Sequence, residues 1–237
     1  MSDLTASPKE TAPMRARRRS LRALGRSKDA VMLIEFAYSL PVLMMLAFGS
    51  IELANLAITN MRVSQIAMTV ADNLSRAKQS VPLGLPQLRE VDINDALLGA
   101  RIQGGNGLKI LDTGRIVVSS LQQNAAGNQR IFWQRCKGLL TGYNSAYGVE
   151  GATQGTTPGF TGMGAGTPVQ AAAGSAIIFT EVTYNYVPLV GSWALGTFRI
   201  RREAAFYVRD DRDLTQVYNP SPAATPSTCN VYNTTFS

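Results

Sequence analysis

Residues 28–50 read KDAVMLIEFAYSLPVLMMLAFGS, and the apolar run continues to Ile58. From Val31 to Ile58 only Glu35 and Glu52 carry a charge. A helix of this length would measure about 42 Å, more than the ~30 Å hydrocarbon core of a bilayer, so one membrane span fits with overhang. Two residues resist the simplest version of that reading. Glu35 stands five residues into the run, and Pro41 follows six residues later. A carboxylate facing lipid near the end of a span costs on the order of 2 kcal/mol or more, and such residues usually have a functional partner. A proline removes one helical hydrogen bond and favours a bend, which membrane helices tolerate where neighbours compensate.

The flanks orient the span. The chain has 237 residues and a formal net charge of +7, of which +5 lies in residues 1–30. The basic character therefore belongs to a leader, and it does not argue for a folded nucleic-acid-binding face. Basic residues on the N-terminal side place the N-terminus in the cytoplasm and everything after about Ile58 outside it. A secretory signal peptide shares this layout, but the apolar run is too long for one, and no small-x-small cleavage pattern follows at the usual distance. A plain signal anchor explains everything except Glu35. The chain has no histidine, the commonest general base and zinc ligand, and only two cysteines. No catalytic triad or metal-ligand cluster is legible, so the expectation is a protein that is not an enzyme and holds no cofactor.

The position of Glu35 suggests a different reading. A cut between Ala30 and Val31 would leave a chain starting Val-Met-Leu-Ile-Glu-Phe, with Glu35 fifth and Phe36 next. A short basic leader, a small residue, four apolar residues and then glutamate resemble the processing site of type IV pilins. The longer stretch AVMLIEFAYSLPVLMMLAFGSIEL (30–53) resembles the TadE-like family of pseudopilins of the tight-adherence (Flp pilus) secretion system. Glu35-Phe36, Leu40-Pro41-Val42-Leu43, Gly49 and Ile51-Glu52 stand where that family's pattern has them. The likeness covers about residues 25–60, and the remainder matches only in layout. One residue departs from the pattern: the family most often has glycine before the cut, where this chain has Ala30. A cut at Gly25 would leave Glu35 tenth.

The resemblance implies a minor pilin-like subunit of a bacterial Tad/Flp-type pilus. It would be held in the inner membrane with a cytoplasmic N-terminus and taken on assembly into a cell-surface pilus. It implies a prepilin peptidase acting at Ala30-Val31, and as partners other pilin and pseudopilin subunits, an inner-membrane assembly platform and the lipid bilayer; no nucleic acid is expected. In pilin-like assemblies the glutamate is thought to face the free amine of a neighbouring subunit. A buried carboxylate without a partner is far costlier than a paired one, which would make Glu35 a register device. The competing reading is an uncleaved single-pass anchor holding an extracytoplasmic β-rich ligand-binding domain.

Glu52, about 25 Å beyond Glu35 along a helix axis, reads as solvated or headgroup-facing. The helix is expected to reach about Lys78. Val63, Ile66, Ala67, Val70, Ala71 and Leu74 recur at three- and four-residue steps, with Arg62, Gln65, Asp72, Ser75 and Arg76 on other faces. This is the pattern of a helix packed on the domain that follows. Pro82, Gly84 and Pro86 end it, and residues 92–100 predict a short helix capped by Asp92 or Asn94 and stopped by Gly99. Then the period changes to two. Residues 114–123, 129–137, 175–187 and 201–209 predict four strands, the first two joined by a hairpin loop at 124–128. In the third, Ile178, Thr180, Val182, Tyr184 and Tyr186 share one face; Phe179, Glu181, Thr183 and Asn185 share the other.

The expected fold class is α+β: a long N-terminal transmembrane helix continuing into an antiparallel sheet domain. The domain plan is a basic leader (1–30), a transmembrane helix (31–58) and an external domain (59–237). Within that domain, residues 138–170 hold nine glycines and one charge, Glu150, which predicts a long irregular loop. Its GMGAG (162–166) lacks the leading strand, following helix and lysine of a phosphate loop. Residues 187–198 read as a turn that buries Trp193 or, in the competing reading, as an exposed patch. The alternating signs of 209–213 read as a solvated turn. The uncharged tail, 218–237, reads as extended. Cys136 and Cys229 both fall on the non-cytoplasmic side, where disulfides persist, and a bridge between them would tie the tail down.

Overall fold

The computed structural model describes residues 28–151, 160–190, 196–209 and 211–236. The chain divides into two compact units, one ending at Ser50 and the other spanning Ile51–Ser237. Helix α1 (Lys28–Arg76) contributes to both and is continuous through Pro41. In the first unit every side chain from Val31 to Ser50 is exposed. In the second, α1 acquires a buried face: Val63, Ile66, Ala67, Val70, Ala71 and Leu74 are all shut off from solvent. These are the six positions whose spacing predicted a packed stripe. Ser75, expected on another face, is buried as well, and its Oγ donates to the Asp72 carbonyl.

Helix α2 (Glu90–Leu108) is longer than expected. Arg89 is its N-cap, and Asp92 is the N3 residue, its carboxylate accepting the Arg89 backbone N–H at 3.0 Å. Gly99 does not stop it. A mid-helix glycine costs only about 1 kcal/mol, and the buried side chains of Ile93, Leu97 and Ala100 on either side of it outweigh that. The helical geometry breaks instead at Gly105, whose φ of 59° an L-residue adopts only with strain.

Four strands follow: β1 (Gly114–Gln123), β2 (Gln129–Lys137), β3 (Ala176–Tyr186) and β4 (Phe198–Tyr207). They form one antiparallel sheet in the order β2-β1-β3-β4. The first two match the expected bounds; β4 starts three residues earlier and ends two earlier than the sequence suggested. A bulge shifts the β1–β2 register, so that Ser120 faces Trp133 while Leu121 faces Ile131. The extra residue, Phe132, reverses the alternation, which is why Trp133 and Ile131, two apart, belong to different cores.

The first core lies between the sheet and the helices. Ile116, Val118, Trp133, Ile178, Val182, Tyr184, Tyr186 and Ile200 meet Val63–Leu74 of α1 and Ile93–Leu108 of α2. Covering one face of an antiparallel sheet with helices leaves the other to be solvated or covered by something else. Here it is covered by the glycine-rich segment. Met163 and Ala171 are buried against Leu121, Ile131, Ile177 and Phe179, with Tyr147 and Phe160 beside them. The irregular segment is therefore a packed cover over its described residues. At Gly162, φ is 132° and a Cβ would stand 2.2 Å from the Val169 carbonyl oxygen, so the close Met163–Val169 pairing needs glycine there.

The cover is also held by charge. Glu181, on the face of β3 that meets it, accepts the Ala146 N–H at 3.0 Å and pairs with Arg201 at 2.5 Å. Glu203 accepts the Tyr147 hydroxyl at 2.9 Å. Arg135 donates to Glu90 of α2 at 2.9 Å and to Glu150 of the cover at 3.3 Å, linking three elements at one guanidinium. Residues 209–213 are likewise not a wholly solvated turn. Arg212 is buried and donates to the carbonyls of Leu74 and Ala77, both at 2.8 Å, supplying donors to the carbonyl-rich end of α1.

The tail runs without regular structure across α2 and β2. Cys136 and Cys229 form a disulfide. The wholly buried Arg115 donates to the carbonyls of Cys229 (2.6 Å) and Val231 (3.3 Å) and stacks 3.9 Å from the Tyr232 ring centroid. Backbone bonds from Cys136 N to Ser227 O (2.7 Å) and from Gly138 N to Asn233 O (3.1 Å) extend the edge of β2. The leader's residues 1–27 and Trp193 lie outside the described residues.

Candidate membrane and assembly site

The candidate site residues all lie on α1. Ala30-Val31, the expected processing bond, lies near the N-terminal end of its described residues. Glu35 and Phe36 follow on the next turn, both exposed, and the Glu35 carboxylate has no partner among the described residues. Around it, Val31, Met32, Leu33, Ile34, Tyr38 and Leu40 are exposed too. One helix near the N-terminus is thus long and apolar enough to cross a membrane, and its most apolar window is not buried at all.

Local chemistry suits that medium. The two serine hydroxyls in the apolar stretch are satisfied within the helix: Ser39 Oγ donates to the Phe36 carbonyl at 3.1 Å and Ser50 Oγ to the Leu46 carbonyl at 2.6 Å. Neither needs water. Pro41 lacks an N–H, which leaves the Ala37 carbonyl without its helical donor. In the exposed stretch, Glu35, the Tyr38 hydroxyl and that carbonyl are the polar groups that call for an outside partner.

Where the exposed stretch ends, a polar knot begins. Glu52 is not simply solvated, as the sequence suggested. One carboxylate oxygen accepts the Tyr186 hydroxyl, and the other accepts the Val190 backbone N–H at 2.9 Å. Asn55, one turn on, donates to the same Tyr186 oxygen at 2.6 Å. Burial, reinforced by the bond to Glu52, pushes the Tyr186 hydroxyl up, so it stays a donor at any physiological pH. The knot ties the end of β3 to α1. Sequence reading missed Asn55 and Tyr186. The i, i+3 spacing of Glu52 and Asn55 hints that they share a face, but Tyr186 lies 134 residues away from Glu52, beyond any local signal.

Cys136 and Cys229, expected as a disulfide, are brought together in the tail region. Among the described residues, no group of three His, Cys, Asp or Glu side chains converges as a metal site. No family model matches this chain, and no curated protein or solved structure matches it.

Proposed function

We propose that this protein is a minor pilin-like subunit of the TadE-like kind, which takes part in assembling a bacterial Tad/Flp-type pilus. The observation that carries this reading is the exposed apolar helix with a carboxylate, Glu35, that has no partner among the described residues and stands fifth after the Ala30-Val31 bond. A prepilin peptidase cuts that bond and frees the Val31 amine. The amine of one subunit then meets Glu35 of its neighbour. Because a lone carboxylate in hydrocarbon is costly, subunits associate only in the register that completes the pair. The α1 span holds the chain in the inner membrane until assembly, and the disulfide-bonded sheet domain faces the periplasm, an oxidising compartment.

The test is the intact mass and N-terminal sequence of the protein purified from its native membrane. A chain beginning at Val31 supports peptidase processing. A chain retaining Met1 or Ser2 refutes it and favours an uncleaved anchor for an external β-rich ligand-binding domain.

A further inference from the structure

The end of the sheet at the Glu52 knot exposes apolar side chains that the domain itself does not use. Val187 is 54% exposed, Leu189 68% and Phe198 44%. They flank the β3–β4 connection, and no residue from 182 to 198 is charged. Immediately after them, Arg199 and Arg202 are exposed.

The placement of this end is set by bonds along α1. Tyr186 and Val190 are fixed to Glu52, two residues past the last residue of the wholly exposed apolar stretch. Arg202 donates to the Asn60 side chain at 2.7 Å, and the Arg209 N–H reaches the Ser75 carbonyl at 3.4 Å. β4 therefore ascends alongside α1, away from Glu52. At ~1.5 Å per residue, Ser75 lies about 35 Å further along the axis. The far end of the sheet carries exposed charge, including Arg209 and Asp211, among exposed Leu85 and Tyr207.

We propose that Val187, Leu189 and Phe198 form a second membrane contact, seated in the outer surface of the phospholipid bilayer where α1 emerges. The proposal rests on α1 being a membrane span. Under that reading Glu52 stands at the level where hydrocarbon gives way to headgroups. Three apolar side chains pinned to it are at the depth of the interface, where apolar groups insert shallowly and tyrosine is favoured. Of the two exposed arginines, Arg202 is held at Asn60, eight residues beyond Glu52, and Arg199 donates to the Tyr143 hydroxyl with its guanidinium 4.1 Å from that ring, so the apolar side chains carry the contact. The contact makes extraction of the subunit during assembly a two-site event: the span and the β3–β4 flank leave lipid together.

The experiment uses the full chain in phosphatidylethanolamine–phosphatidylglycerol vesicles, with an environment-sensitive fluorophore on one introduced cysteine at a time: Leu46→Cys, Leu189→Cys or Leu83→Cys. Leu46 lies within the exposed apolar stretch. Leu83, 95% exposed, lies just past the far end of α1 and is the matched control. Lipids carrying nitroxides at the headgroup or deep in the acyl chain serve as quenchers. The expected result is loss of most Leu46 emission to the deep quencher, loss of most Leu189 emission to the headgroup quencher, and unchanged Leu83 emission. A Leu189 label that behaves like Leu83 while Leu46 is quenched overturns the proposal and leaves the span intact. A Leu189 label shielded from aqueous iodide but untouched by nitroxide lipids also overturns it, because a second protein surface then covers the patch. A Leu46 label that no lipid quenches removes the span, and this proposal with it.

Discussion

Reduction of the Cys136–Cys229 disulfide is the sharpest perturbation this structure offers. The two cysteines are 93 residues apart, so the bridge closes about half of the sheet domain, β3 and β4 included, into one loop. In the chain-entropy treatment, a loop of that size removes enough freedom from the unfolded chain to stabilise the fold by about 4.5 kcal/mol. The native side adds little cost, because the strap is already seated: Arg115 holds the Cys229 and Val231 carbonyls, and Asn94 donates to the Thr225 carbonyl at 2.9 Å. For a domain of this size each kcal/mol moves Tm by about 2–4 °C, so reduction should lower Tm by roughly 10–18 °C. The assay is thermal unfolding of the full chain in detergent, oxidised and with dithiothreitol, beside the Cys136→Ser variant. Cys136→Ser should match the reduced wild type and be insensitive to reductant. A reduced protein with free, titratable thiols and an unchanged Tm would refute the reasoning. It would mean that the noncovalent anchors of the strap alone set its stability, or that the unfolded chain is already compact.

Three further outcomes follow from the same structure. Ile66→Ala, on the buried face of α1, should cost about 2–5 kcal/mol of sheet-domain stability, while Gln65→Ala beside it stays within about 0.5 kcal/mol; equal effects in urea unfolding would mean that α1 does not pack on the sheet. Burial pushes the Glu181 carboxyl above its ordinary 4.5, against the bonds from Ser145 and Ala146 and the nearby Arg201. The folded state therefore holds that proton more tightly than the unfolded one: the contribution to stability is full below pH 4.5 and is lost as pH rises through the folded value. Glu181→Gln should flatten the stability profile in that window, and an unflattened profile assigns the slope elsewhere. Asp213 has the opposite sign, since bonds from Thr215 and Tyr218 hold it below its ordinary 3.8, and its contribution fades only as pH falls further. Glu35→Gln should leave membrane insertion intact but abolish copurification of neighbouring subunits; normal copurification would contradict the amine–carboxylate register.

Much of the architecture was legible because it is local. The bounds of β1 and β2 followed from a period of two between turn residues. The six buried apolar positions of α1 followed from three- and four-residue steps. Both depend on side-chain directions that repeat every few residues. The pairing of Cys136 with Cys229 was legible for another reason: there were only two cysteines, and both fell beyond the apolar run. Gly99 misled because its local cost is small beside the burial of Ile93, Leu97 and Ala100, which a reading of caps and breakers does not weigh.

The sequence by itself determined that an apolar helix carrying Glu35 and Pro41 precedes an antiparallel sheet domain, because hydrophobic length and periodicity are properties of neighbours in the chain. Only the tertiary structure decided what the polar residues do. Glu52 looked solvated until Tyr186 arrived from 134 residues away, and Arg212 looked exposed until its 138-residue return to Leu74 placed it on the end of α1. The glycine-rich segment read only as an irregular loop until the far face of the sheet needed a cover. In each case the physical reason is the same. A polar or flexible residue has no preferred burial of its own, and its environment is supplied by partners that the fold brings together.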